Sequence, residues 1–183
     1  MVLSRIFRTT DAALPAAAAL YGAIVTQARQ PAFYASWGVP DTVDGRFEMI
    51  ALHMFLVLHR LKGAGENELA QQLFDTMFGD MDRSLREMGA GDLGVGKRVR
   101  AMAEGLYGRM AAYEAGLEGD DVSLATALRR NAFGTVAAPG PSQAALQALC
   151  DYLRAAFAAL GGTPVAELRS GSLRFPAVAG SPS

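Results

Sequence analysis

The chain has 183 residues, of which 51% are hydrophobic and 19% charged, a balance typical of globular proteins and unlike that of disordered ones. The length favours a single domain. The formal net charge of −1 argues against the strongly basic surface of a general nucleic-acid binder, so we expect no specific nucleic acid as a partner.

The N-terminal segment admits two interpretations. Arg5 and Arg8 precede an Ala-rich apolar run at 12–25, which resembles a secretory signal. Asp11 as an N-cap, with Pro15 in the opening turn, instead predicts a first helix that the protein retains. We favour the retained helix, because Asp11 interrupts the transition from basic to apolar residues and Pro15 lies early in the run.

A second apolar run, at 49–58, predicts a buried core helix. It contains His53 and is well short of the about 20 residues that a bilayer requires, so the sequence predicts no transmembrane helix. We expect His53 to be a hydrogen-bonded core residue. Cys150 is the only cysteine, which excludes an internal disulfide, and we expect it to pack in a helix.

Two helices are predicted in the centre of the chain. The first carries an apolar stripe spaced by threes and fours, which includes Leu69, Leu73, Met77, Met81 and Leu85. On its other side, Asp82 with Arg86 and Arg83 with Glu87 form i,i+4 pairs, and Gly89 is expected to end the helix. The second helix carries Val95, Val99, Met102, Leu106, Met110, Tyr113 and Leu117 on one face.

The C-terminal third predicts shorter elements. Asp120 or Asp121 caps a helix that reaches Phe133, and Ser142 caps a long helix that ends at Gly161-Gly162. About one helical turn follows Thr163-Pro164, and no segment has strand periodicity. The predicted fold is therefore all-α, with one compact multi-helix domain over residues 1–169 and a loose, irregular tail over 170–183.

The connection between the two central helices matches two nucleotide-binding patterns. Gly89, Gly91 and Gly94 fit G-x-G-x-x-G, and Gly91, Gly96 and Lys97 fit the core of a P-loop. Both patterns require a preceding β-strand, whereas a helix is predicted here. Asp92 would also place a carboxylate among phosphate oxygens. We therefore interpret the segment as a helix–turn–helix connection.

No catalytic or metal centre is indicated. His53 and His59 are six residues apart and lie on different helix faces, so they cannot form an i,i+4 zinc pair. No Ser/His/Asp arrangement is suggested, and the neighbouring carboxylates do not converge on one point. We expect neither enzymatic activity nor a cofactor.

The central segment resembles the ubiquinol–cytochrome c chaperone family. The resemblance is carried by FDTMF at 74–78, DMDRSLREMG at 80–89, GDL at 91–93, Val95, Lys97 and YGR at 107–109. The flanks fit more loosely, at Tyr21, Phe33-Tyr34, DGRFE at 44–48 and LRRN at 128–131. The resemblance implies an all-α protein that assists assembly of the bc1 complex by binding newly made cytochrome b, with transient proximity to the ribosome or to a membrane surface.

The same resemblance implies a client-binding surface in the central segment. A groove with aromatic and Met side chains would shield apolar client segments, and charged residues at its rim would orient the client. The predicted client-binding residues are Phe78, Asp82, Arg83, Arg86, Glu87, Gly91, Asp92, Lys97, Arg98, Tyr107 and Arg109. We expect a cytoplasmic protein, peripheral at the inner face of the plasma membrane. A membrane-surface adaptor without a dedicated client and an enzyme of unknown chemistry are the alternatives.

Overall fold

The computed structural model describes residues 15–87, 92–137 and 140–178, except for the side chains of Asp92, Leu93 and Arg98. This part of the chain contains eight helices and no strand, which confirms the all-α prediction. The helices are α1 (Pro15–Ala28), α2 (Pro31–Ala35), α3 (Val43–Gly63), α4 (Asn67–Glu87), α5 (Asp92–Glu118), α6 (Asp121–Asn131), α7 (Gln143–Gly161) and α8 (Val165–Arg169).

Helix α3 is the centre of the core. The Oγ1 atom of Thr42 caps it by accepting from the backbone N–H of Gly45 at 3.1 Å. Every residue from 49 to 58 is buried, as predicted, because α1, α4, α5 and α7 all pack against this helix. A helix surrounded in this way buries all of its faces, which explains why its apolar run shows no amphipathic period.

Helices α4 and α5 follow the predicted stripes. In α4, Leu69, Leu73 and Met77 are buried, while Met81 and Leu85 are half-buried near the end of the helix. In α5, Val95, Val99, Leu106 and Tyr113 are buried, and Met102, Met110 and Leu117 are half-buried. Gly89, where α4 was predicted to end, lies outside the described residues, and so does the predicted N-cap Asp11.

The predicted caps of the C-terminal helices are confirmed. Asp120 Oδ1 accepts from the backbone N–H of Ser123 at 2.8 Å and caps α6. Ser142 Oγ accepts from Ala145 N–H at 3.1 Å and caps α7. Each short polar side chain satisfies a backbone donor that has no partner inside its helix.

The C-terminal segment differs from the loose tail that we predicted. Residues 172–178 are irregular, but they pack along the core. The Phe175 ring meets His53 edge-on with centroids 5.0 Å apart, and Val178 is buried. Gln27 Nε2 donates to the carbonyl oxygen of Pro176 at 3.2 Å. The segment is therefore part of the folded domain as far as residue 178.

None of the helices in the described ranges is both long enough and apolar enough to cross a membrane. The apolar run of helix α3 is flanked by polar residues that include Asp44 and Lys62. Its apolar middle is covered by protein on all sides.

Candidate binding surface

Helices α4 and α5 form an antiparallel pair joined by residues 88–91. The Phe74 ring contacts Tyr107, so the early turns of α4 lie beside the middle of α5. The late turns of α4 consequently lie beside the start of α5, where charged residues collect. We define the α4–α5 surface as six predicted site residues that remain at least partly exposed: Asp82, Arg83, Arg86, Glu87, Lys97 and Tyr107. Arg109 is also partly exposed but is left out, because its guanidinium is paired with Glu48.

An aromatic cleft lies at the other end of this surface. Tyr107 is 52% exposed, and its ring stacks on Phe74 with centroids 5.7 Å apart and planes inclined by 30°. The adjoining cleft holds about 70 Å³ and is lined by Leu58, Lys62, Asn67, Ala70, Gln71, Phe74, Tyr107 and Met110. An exposed aromatic ring backed by a buried one offers apolar contact area that is already ordered.

The charges near the connection are of both signs. The Nε atom of Arg86 donates to Asp82 Oδ2 at 2.7 Å, which confirms that predicted i,i+4 pair. Arg83 and Glu87 are both exposed and form no salt bridge with each other, so the second predicted pair is absent from this part of the structure. Arg83, Glu87 and Lys97 thus present their charges to solvent. Such groups suit orientation of a partner more than strong attraction.

Several predicted site residues do not lie on this surface. Phe78, expected to line a groove, is only 5% exposed and packs against Phe74 with ring centroids 4.6 Å apart. Because its ring is in the core, we leave it out of the surface. Gly91 and the side chains of Asp92 and Arg98 lie outside the described residues.

Arg109 differs most from its predicted position at a client-facing rim. Its Nε donates to Glu48 Oε2 at 2.6 Å and its Nη2 donates to Oε1, so the guanidinium binds the carboxylate with both prongs of its fork. The guanidinium carbon also lies 5.6 Å from the centre of the Phe47 ring. A Cβ at Gly105 would come within 2.6 Å of Arg109 Nη1, so the glycine makes room for this side chain. Arg109 therefore joins α5 to α3.

The Glu48–Arg109 pair explains two of the sequence segments that carry the resemblance. DGRFE at 44–48 supplies the carboxylate and YGR at 107–109 supplies the guanidinium, 61 residues apart in the chain. Sequence reasoning missed the partner, although one signal was present. Glu48 directly precedes the buried run at 49–58, and a carboxylate entering a core requires a cationic or hydrogen-bonding partner.

A second long-range contact joins two other positions that carry the resemblance, Tyr21 and Asp80. The hydroxyl of Tyr21 donates to Asp80 Oδ2 at 2.8 Å and joins α1 to α4. Burial and the neighbouring carboxylate both raise the pKa of Tyr21. Four residues in the family-like segments, Tyr21, Glu48, Asp80 and Arg109, thus join helices to one another.

The histidines have structural partners. His53 is fully buried and hydrogen-bonded, as predicted, and His59 Nδ1 lies 3.2 Å from Glu114 Oε1. Within the described ranges, no three His, Cys, Asp or Glu residues are grouped so that they could hold a metal ion. The element preceding the glycine-rich connection is helix α4, so neither nucleotide-binding pattern has the strand that it requires.

Residues 35–175 match the family model described as ubiquinol-cytochrome C chaperone. The Xenopus laevis ubiquinol-cytochrome-c reductase complex assembly factor 1 is 28% identical over 118 residues, which cover 63% of this chain and 59% of that protein. The Mus musculus protein of the same name is 28% identical over 141 residues, covering 76% of this chain and 47% of its own. This chain thus spans about half the length of these relatives.

A solved structure matches the whole fold. The crystal structure of the Cbp3 homolog from Brucella abortus has a TM-score of 0.78 and 39% sequence identity, and the match covers all of both chains. The family model covers more than half of this chain and includes α3 to α8. The chain belongs to the ubiquinol-cytochrome c chaperone family.

Proposed function

We propose that this protein is an assembly factor for the bc1 complex and that it binds newly made cytochrome b. Membership of the ubiquinol-cytochrome c chaperone family is the observation that carries the proposal. The names of the Xenopus laevis and Mus musculus relatives, which describe assembly of the ubiquinol-cytochrome-c reductase complex, support it. We further propose that it works by binding and not by catalysis, in the cytoplasm at the inner face of the plasma membrane.

The α4–α5 surface is the contact region that we propose for the client. Tyr107 and the adjoining cleft offer an apolar contact, which suits a helix that has not yet reached its place in the bilayer or the complex. Arg83, Glu87 and Lys97 lie beyond the cleft toward the helix connection, where they would set the client's orientation through its polar loops.

The experiment is a pull-down from membranes solubilised in mild detergent, with tagged wild type beside a Tyr107→Ala variant. We expect wild type to retain cytochrome b and Tyr107→Ala to bind it about thirtyfold more weakly, because truncating an aromatic anchor typically costs about 2 kcal/mol of binding or more. Val122→Ala is the matched control. Val122 is also a large exposed apolar residue, but it lies on α6, so its removal should leave capture unchanged.

A charge-reversal pair tests the rest of the surface. Arg83→Glu should weaken capture and make it less sensitive to salt, whereas Arg129→Glu on α6 should not. Equal capture by all folded variants would reject the α4–α5 surface and leave the function standing. If wild type retains no cytochrome b and a strain lacking the protein assembles a normal bc1 complex, the proposed function itself is wrong.

A further inference from the structure

An open cleft of about 630 Å³ lies beside the short helix α2 and shares no residue with the α4–α5 surface. Its lining combines two guanidinium groups and one carboxylate with small apolar side chains and a tyrosine ring: Arg29, Pro31, Tyr34, Ala35, Val39, Asp41 and Arg46. Its formal charge is therefore +1. A concave site that combines a few charged groups with apolar side chains is typical of sites for small polar ligands.

The wall of this cleft is held in place by the backbone. The backbone N–H of Val39 donates to the carbonyl oxygen of Phe33 at 3.0 Å, which folds the loop after α2 back on that helix. A Cβ at Gly45 would overlap the carbonyl oxygen of Pro40, so the loop lies directly on the first turn of α3. The loop that carries Val39 and Asp41 is therefore held in place without a ligand.

The two arginines keep donors available. Arg29 is exposed, and its guanidinium forms no hydrogen bond or ion pair with any residue that the structure describes. Arg46 donates only its Nε to Asp41 Oδ1, at 2.6 Å, so neither Nη group is used within the described chain. The hydroxyl of Tyr34 donates to the carbonyl oxygen of Ala28 at 2.7 Å, so Tyr34 contributes mainly its ring to the wall of the cleft.

We propose that this cleft binds a phosphodiester group. Arg29 and the Nη groups of Arg46 would each donate to the non-bridging oxygens, since the guanidinium fork matches the geometry of such oxygens. A diester carries one negative charge, which the +1 charge of the cleft balances. Each of its two ester oxygens also carries a carbon group, and Pro31 and Val39 offer apolar contacts for those groups.

The phosphodiester has two sources, a phospholipid headgroup and a soluble ester, and two probes distinguish them. The soluble probe is glycerophosphoglycerol, and the membrane probe is phosphatidylcholine vesicles with and without phosphatidylglycerol. Trp37, the only tryptophan, is buried in the loop after α2 and reports binding of the soluble probe by its fluorescence. Flotation reports binding to vesicles. Both measurements use the full chain at physiological ionic strength.

Arg29→Gln is the decisive variant, because the Arg29 guanidinium forms no hydrogen bond or ion pair in the described chain and its replacement should not disturb the fold. Arg129→Gln removes the same charge from the exposed side of α6 and is the matched control. We expect at least about tenfold weaker binding for Arg29→Gln and no more than a twofold change for Arg129→Gln, in line with the loss of a charge-assisted hydrogen bond.

The two probes give different results for a soluble ester and for a lipid headgroup. Arg29-dependent binding of glycerophosphoglycerol alone identifies a soluble ester, and Arg29-dependent flotation that requires phosphatidylglycerol identifies a lipid. No binding of either probe overturns the proposal. Equal weakening by Arg29→Gln and Arg129→Gln also overturns it, because that result reports only a general charge effect. If acetate binds as tightly as glycerophosphoglycerol, the phosphodiester assignment is wrong.

Discussion

His53 is fully buried in α3, and both of its ring nitrogens have hydrogen-bonding partners. Its Nδ1 lies 2.7 Å from the carbonyl oxygen of Met49, which can only accept, so Nδ1 carries the proton. Nε2 then accepts from the Tyr152 hydroxyl at 2.7 Å, and that oxygen accepts in turn from Gln27 Nε2 at 3.0 Å. Burial lowers the pKa of His53 to about 4, so the ring is neutral in the folded protein at neutral pH.

This lowered pKa predicts a stability that falls with acid. The unfolded chain binds a proton at His53 near pH 6.5, but the folded chain does so only near pH 4. Between these values the unfolded state holds more protons, so the free energy of unfolding should decrease as the pH drops from about 6.5 to 4. His53 alone should contribute about 3 kcal/mol to that decrease, measured by urea denaturation at a series of pH values.

His53→Gln should remove this part of the slope, whatever it does to stability at pH 7.5. His59→Gln is the control, because it keeps His53 and should keep the slope. If His53→Gln and wild type lose the same free energy between pH 6.5 and 4, the buried ring is not the group that couples folding to protons.

At the scale of elements, the Glu48–Arg109 pair fixes α5 against α3. Glu48 is buried and Arg109 is 24% exposed on its side chain, so both charges are largely removed from water. The neighbouring carboxylate raises the pKa of Arg109, whose ionised form the pair stabilises. Removing one member of a buried pair leaves the other charged and unpaired, which is costly, whereas replacing both is far less so.

We therefore predict that Arg109→Ala lowers the free energy of unfolding by about 3 kcal/mol. The double variant Glu48→Gln with Arg109→Met should lose clearly less than the sum of its two single variants. Arg46→Ala, which breaks the exposed pair with Asp41, is the control and should have little effect. Additive losses in this double-mutant cycle would show that the two side chains are not coupled.

At the scale of the whole molecule, the C-terminal segment closes the core over α1, α3 and α7. Phe175 contacts His53 on α3, and Pro176 accepts from Gln27 on α1. Gln27 also donates to Tyr152 on α7, so the segment lies over the hydrogen-bonded group that holds these three helices together. Contacts of this kind join the two ends of the described chain.

Phe175→Ala should consequently lower the free energy of unfolding by about 2 kcal/mol, somewhat less than for a fully buried ring because Phe175 is half-buried. Chemical denaturation followed by circular dichroism measures the change. Arg174→Ala, at the exposed neighbouring position, is the control. An unchanged midpoint for Phe175→Ala would mean that residues 172–178 contribute nothing to the stability of the helical domain.

Part of the candidate surface could be predicted from the sequence, and part could not. The apolar stripe of α4 placed Asp82, Arg83, Arg86 and Glu87 on its outer side, because helical periodicity is a local property. Phe78 lies at the edge of that stripe, and periodicity cannot tell whether a neighbouring ring will cover an edge position. The structure has Phe74 beside it in the core.

The sequence by itself determined the helices other than α2, the caps at Asp120 and Ser142, the buried run of α3 and the family resemblance. Each of these depends on residues within a few turns of one another. Only the tertiary structure decided the partner of Arg109, the packing of residues 172–178 and the cleft beside α2. These depend on contacts between segments far apart in the chain, such as the 61 residues that separate Glu48 from Arg109. Hydrophobic spacing does not encode which distant polar groups will meet, because many pairings bury the same apolar area.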